Sequence, residues 1–154
     1  MKFSGELTVK APREAVLDRF QDARFFASCV EGVHDLNEIT PTRYTALFET
    51  KIAYIRFKFE VVVDMTRAER PQSIEAKIEG KPHGIVGRLS ATSIASFVET
   101  GGETIIKYAV DASLTGRLGS IGQPVLKSKA KEMERQFVER LRAAFPSGVA
   151  EAAS

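Results

Sequence analysis

The sequence predicts an α+β fold: a curved antiparallel sheet of about seven strands wrapped around one long C-terminal helix, with two short helices after the first strand. Three observations predict it. Apolar and polar residues alternate with period two through the first three quarters of the chain. The last quarter switches to helical spacing. An antiparallel sheet with one wet face needs a cover for the other, and only the C-terminal helix is long enough to supply it.

The elements follow in order. Phe3, Gly5, Leu7 and Val9 share one face of a first strand, with Lys2, Ser4, Glu6, Thr8 and Lys10 on the other. Ala11-Pro12 ends it, and Pro12 suits the first turn of a helix in which Val16, Leu17 and Phe20 form an apolar stripe. A second short helix around Arg24–Val30 carries Phe25, Phe26 and Cys29, with Gly32 as its stop. Five or six strands follow. Tyr44, Ala46, Phe48, Thr50 and Ile52 alternate against Thr45, Glu49 and Lys51. The clearest strand spans Ile55–Met65, with Ile55, Phe57, Phe59, Val61, Val63 and Met65 on one face. Arg70-Pro71-Gln72 is a turn, after which Ile74, Ala76 and Ile78 face inward. A strand over Ile85–Glu99 meets Thr104–Leu114 through a Gly101-Gly102 hairpin. From about Gln123-Pro124 to Ala144, Val125, Leu126, Ala130, Met133, Phe137 and Leu141 fall on a helical stripe. Pro146 stops it. Residues 1–145 thus read as one domain and 146–154 as a disordered tail.

Composition agrees with one soluble domain. The chain has 154 residues, 44% hydrophobic and 27% charged, with a net charge of +2, which is not the footprint of a dedicated nucleic-acid binder. One cysteine, Cys29, excludes an internal disulfide framework and suits a reducing cytoplasm. Two histidines with that cysteine are too few for a convincing zinc site. The first residues alternate where a signal peptide needs a continuous apolar core, and no apolar stretch approaches the roughly 20 residues of a membrane-spanning helix. A cytoplasmic location, with at most a peripheral meeting with the membrane, is the expectation.

Small residues are frequent at the inward positions: Gly5, Ala46, Thr50, Ala76, Gly80, Gly87, Ala91, Ser93 and Ala95. Because interiors are close-packed, they imply either very close approach or a cavity. Phe25, Phe26, Phe48, Phe57, Phe59, Leu89, Tyr108, Met133 and Phe137 are the candidates to line such a cavity, the plain alternative being a tight core.

Other motifs point less far. Gly116, Gly119 and Gly122 stand before the long helix, but no Lys-Ser or Lys-Thr follows as a P-loop requires. A close-packed entry to the helix at the pocket rim is the better reading. Lys127, Lys129 and Lys131, with Arg117 nearby, give the helix a basic side. It could meet a partner or anionic lipid, at about 1 kcal/mol per residue, although interleaved glutamates favour a solvated, ion-paired face. His34 and His83 read as loop residues, and no nucleophile-elbow spacing is present. Cys29 reads as an inert, half-buried thiol. Tyr44, Tyr108, Glu49 and Asp111 are the polar groups a pocket might recruit, with the two acids alternating outward.

Three segments carry a family resemblance. The opening Met1–Val9 with Ala11-Pro12-Arg13-Glu14-Ala15-Val16, the stretch Ala27–Val33, and Gly116-Arg117-Leu118-Gly119-Ser120-Ile121-Gly122 resemble the carbon monoxide dehydrogenase CoxG family, within the START-like or Bet v 1-like helix-grip superfamily. The resemblance spans about residues 2–143. The family usually has proline where this chain has Glu31, and members that anchor stably often carry a longer C-terminal extension than Pro146–Ser154. The resemblance implies a non-catalytic accessory protein of a molybdenum hydroxylase. It would bind a hydrophobic ligand, with a respiratory quinone as leading candidate, and help bring the hydroxylase to the inner face of the membrane. A cyclase- or hydrolase-like enzyme of the same fold is the first alternative, and an assembly factor with a filled pocket is the second.

Overall fold

A computed structural model describes residues 1–69 and 73–145. The turn predicted at Arg70-Pro71-Gln72 and the tail predicted at 146–154 lie outside the described residues.

Seven strands form one antiparallel sheet: β1 (Lys2–Val9), β2 (Val33–Thr40), β3 (Arg43–Ile52), β4 (Ile55–Glu69), β5 (Ser73–Pro82), β6 (Gly87–Thr100) and β7 (Glu103–Gly116), in the spatial order β1-β7-β6-β5-β4-β3-β2. Strands β2 to β7 form a meander, and β1 closes against β7 in register from Lys2↔Asp111 to Val9↔Thr104. Helices α1 (Arg13–Gln21) and α2 (Ala23–Ser28) follow β1, and α3 (Gln123–Ala143) follows a 3-10 turn over Arg117–Ser120.

The predicted alternation holds. Leu7 and Val9 are buried while Glu6 and Thr8 are exposed. Phe57 and Phe59 face inward between exposed Arg56 and Glu60. Helix α3 begins at Gln123, with Pro124 in its first turn.

Three local expectations are corrected. The first strand after the short helices is β2, whose sequence VHDLNEIT has no clean alternation because two register shifts interrupt its pairing with β3. His34 therefore lies on an edge strand rather than in a loop. Gly32 does not end α2, whose C-cap is Cys29. It turns the chain into β2 at φ +91°, where a Cβ would strike the Glu49 carbonyl oxygen. Third, Lys127, Lys129 and Lys131 do not share one side, because two residues along a helix rotate about 200°. Lys127 and Lys131 are exposed, whereas Lys129 is half-buried with its ammonium 3.9 Å from Glu132.

The β3–β4 hairpin is closed by Ala53 and Tyr54, at φ 51° and 71°. A two-residue turn of this hand usually takes Asn-Gly; a side chain in the left-handed region costs roughly 1–2 kcal/mol.

The helices are fixed mainly at one end of the sheet. The Arg13 amide donates to Glu99 Oε1 at 2.6 Å, and buried Thr104 donates from Oγ1 to the Ala11 carbonyl at 2.8 Å. Phe20 packs edge-on against Phe97 at 5.2 Å between centroids, and Phe26 tilts against Phe137 of α3 at 5.1 Å. Leu141 and Phe145 are buried with Val16, Leu17 and Ile106. Midway along α3, Tyr108 of β7 donates its hydroxyl proton to Glu134 at 2.5 Å. Gly5 makes this possible, since a Cβ there would collide with the Tyr108 hydroxyl.

Replacing Gly5 by Val should therefore push the Tyr108 ring aside and release Glu134. Urea unfolding should show a loss of about 1–3 kcal/mol, the usual cost of overpacking. An unchanged midpoint would mean that Tyr108 does not need the space over β1.

Candidate functional site

The sheet's inner face and α3 enclose the candidate site, and the apolar core there is divided. One cluster gathers Leu7, Val9, Leu17, Phe97, Ile106 and Leu141 at the α1–α2 end. The other gathers Phe57, Phe59 and Leu118 with partly buried Phe48, Ile85, Leu89 and Ile121 at the hairpin end, beside the β3–β4 turn and the β5–β6 loop. Between them lie inward positions that belong to neither. On β6, Leu89 packs with one cluster and Ala95 with the other, leaving Ala91 and Ser93 between. Six residues of strand cover about 20 Å. The cross-strand partners of these two are equally modest: Ile78 and Ala76 on β5, Ala112 and Val110 on β7. All but Ala91 are partly exposed, although they point toward the helix. From α3, Leu126, Ala130 and Met133 face the same region at helical spacing and are themselves only partly buried.

The nine candidate residues are not brought together. Phe48, Phe57, Phe59 and Leu89 belong to the hairpin-end cluster, where the Phe48 and Phe57 rings stack on Phe59 at 6.0 and 6.2 Å. Phe25, Tyr108 and Phe137 pack with the opposite cluster, and Phe26 joins it through Phe137 and Phe20. The Arg19 guanidinium lies 5.3 Å over the Phe25 ring, so Phe25 faces the flank of α1. Of the nine, Met133 stands between the clusters. The candidate aromatics thus form the two end walls, and the residues between them are the small ones of β5, β6 and β7.

Sequence reasoning marks Tyr44 as recruitable without ranking it with these nine. It stands on β3 opposite Val63 on the inner face. Burial holds its hydroxyl protonated, raising its pKa to about 12. No hydrogen-bond partner is found for it among the described residues, so its O–H is a donor offered to the interior. Tyr108 is different: burial first, then the hydrogen bond and charge of Glu134, raise its pKa further, and its proton is already committed.

The other titratable candidates face away. His34 lies between carboxylates on the outer face, with Nε2 2.7 Å from Glu49 and Nδ1 3.3 Å from Asp35. His83 stands 3.7 Å from Glu60. Asp111 and Glu49 are exposed, as their alternation predicts. Cys29 is fully rather than half-buried, and desolvation raises its pKa against the lowering effects of Ser28 and Arg140. Gly116 (φ 64°) packs against Gly87 and Gly122 caps α3, which makes the glycine run a close-packed helix entry.

Tyr44 yields a pH prediction. A folded-state pKa above the ordinary value of about 10 gives a stabilisation that is complete below pH 10 and lost as pH rises through about 12. Ultraviolet titration should show a tyrosinate step near pH 12 that Tyr44→Phe removes, and the variant should lose less stability between pH 10 and 12. Full ionisation of all three tyrosines below pH 11 would refute the burial of Tyr44.

Comparisons place this geometry among known proteins. A conserved protein from Geobacillus kaustophilus superposes with a TM-score of 0.85 at 20% identity, covering 96% of each chain. A START superfamily protein from Mycobacterium smegmatis gives 0.71 at 12% identity, covering 95% of this chain and 97% of that one. The di-domain ARO/CYC BexL of the BE-7585A biosynthetic pathway gives 0.62 at 17% identity, with 94% of this chain on 50% of that one. At such identities the likeness shows the fold, a START-like helix grip. No curated protein matches the sequence. The family model for the carbon monoxide dehydrogenase component CoxG matches residues 5–145, and the chain belongs to that family.

Proposed function

We propose that this protein is a non-catalytic carrier that holds a hydrophobic ligand between the sheet and α3 and serves a molybdenum hydroxylase of the carbon monoxide dehydrogenase kind. The observation that carries the reading is the divided core: apolar end walls, a span of small residues between them, and the Tyr44 hydroxyl as a donor. Apolar sites with a few placed polar groups are the usual form of small-molecule pockets. A ring carrying a carbonyl would accept from Tyr44 while its apolar part lies along Ala76, Ala91 and Ala112. A respiratory quinone has that chemistry, and its residence in lipid would explain a family role in bringing a hydroxylase to the membrane.

A cyclase- or hydrolase-like activity has one observation in its favour, the Tyr108–Glu134 pair beside the interior. That pair suits an acid–base role poorly, because Glu134 and burial hold the tyrosine proton rather than release it. Binding is the better reading.

Solvent extraction of protein purified from a quinone-containing bacterial host, followed by mass spectrometry, tests it. A quinone or other isoprenoid at near one per chain is the expected result. Ser93→Phe, which fills the span between the clusters, should cut uptake at least tenfold while leaving the thermal midpoint within a few degrees. An empty extract that stays empty after incubation with several quinones would overturn the carrier reading.

A further inference from the structure

The hairpin end of the molecule carries apolar side chains that the fold does not use. Tyr54 of the β3–β4 turn is 92% exposed, Ile55 beside it 57%, and Val86 of the β5–β6 loop 78%. The two segments are neighbours. The β5 end at Pro82 pairs with Phe59 of β4, and the His83 amide donates to the Lys58 carbonyl at 2.8 Å. The Arg117 amide in turn donates to the Val86 carbonyl at 2.8 Å, bringing the entry to α3 to the same end. An open depression of about 490 Å³ between the loop and this entry is lined by Pro82, Ile85, Val86, Lys81 and Arg117.

The charge around these tips is of one sign. Lys51 sits with its ammonium 5.7 Å from the Tyr54 ring centroid, and Arg56 is its cross-strand partner. Lys51, Arg56, Lys81 and Arg117 have no carboxylate partner among the described residues. The nearby acids Glu49 and Glu60 are engaged by His34 and His83. The first turn of α3, at the same end, contains no acidic residue, so its amide dipoles add to the positive field. Protruding aromatic and aliphatic tips set in a cationic ring match a leaflet whose headgroups are anionic and whose interface accepts tyrosine. A flat acidic protein face would complement the charge but would leave Tyr54 and Val86 without a hydrocarbon layer to enter.

We infer that the hairpin end is a membrane-docking surface, in which Tyr54, Ile55 and Val86 enter the interface of an anionic bilayer while Lys51, Arg56, Lys81 and Arg117 meet its headgroups. The surface differs from the basic helix side expected from the sequence, and of those residues it keeps Arg117. The inference rests on the carrier reading in one respect: a protein that carries a lipid-resident ligand must meet the bilayer. It also places that meeting beside Ile85, Leu118 and Ile121, the residues that close the interior at this end.

Co-sedimentation of the full chain with vesicles tests it. Vesicles of phosphatidylcholine with about one third phosphatidylglycerol should bind the protein, and pure phosphatidylcholine should bind it at least tenfold more weakly. Raising salt from 0.05 to 0.5 M should weaken binding, as screening demands. The double variant Tyr54→Ser/Val86→Ser should lose at least tenfold, and Lys51→Glu/Arg56→Glu should lose as much, whereas Ile94→Ser/Val98→Ser on the outer face of the sheet should bind as the unaltered chain does. Binding that is indifferent to the first two variants, or no binding to anionic vesicles at all, overturns the surface. So does a Tyr54→Ser/Val86→Ser defect confined to capture of the hydroxylase, which would make this end a protein-docking face. Uptake of a short-chain quinone from solution, measured on the same proteins, tests the carrier separately: its failure with vesicle binding intact removes the carrier and leaves the docking surface standing.

Discussion

A single helix is narrower than the sheet it must cover. Seven strands spaced about 4.8 Å apart span roughly 30 Å, while a helix with its side chains is about 10–12 Å across. Curvature narrows the difference without removing it. The inner face therefore cannot be filled as one continuous core with α3 alone, and the chain packs it at the two ends instead. Aromatic residues close each end, and small residues line what lies between. The partly exposed inward side chains of β5, β6 and β7 follow from that mismatch.

The two ends are built differently. At one, α1 and α2 supply Leu17, Phe20 and Phe26 against Phe97, Phe137 and Leu141, so α3 is seized by its C-terminal half. Buried Thr104 and the Arg13–Glu99 hydrogen bond tie the short helices to the sheet there. At the other, the closing residues are Leu118 of a single 3-10 turn, with Ile85 and Ile121 from adjoining loops. The Tyr108–Glu134 bond, admitted by Gly5, sets the helix over the sheet between the two. An interior firm at one end and closed by a loop and a short turn at the other has a natural side for entry, and the exposed apolar tips lie on that side.

Much of this is legible in the residues. The alternation of Phe57, Phe59, Val61 and Val63 and the helical stripe from Leu126 to Leu141 need no tertiary information, because their periods are set by strand and helix geometry. β2 is not legible, since its bulges break the alternation that would mark it. The site is legible in part. Small inward residues announce a space, but the aromatics expected to line it pack instead against one another as end walls. Tyr44 stands out in the sequence only as a polar group on an inward strand position. Its lack of a partner depends on what lies opposite, which no local pattern encodes.

The sequence by itself determined the strands and helices, the face each turns inward, and the family to which the chain belongs, because side-chain period and short glycine-anchored motifs are local properties. Tertiary structure decided where the interior is full and where it is not. It also separated Lys129 from Lys127 and Lys131, set His34 between two carboxylates on the outer face, and gathered Tyr54, Val86 and Arg117 from three distant segments onto one end. These outcomes depend on how far a curved sheet stands from its helix and on which loops that curvature brings together, and both are set only when the whole chain packs.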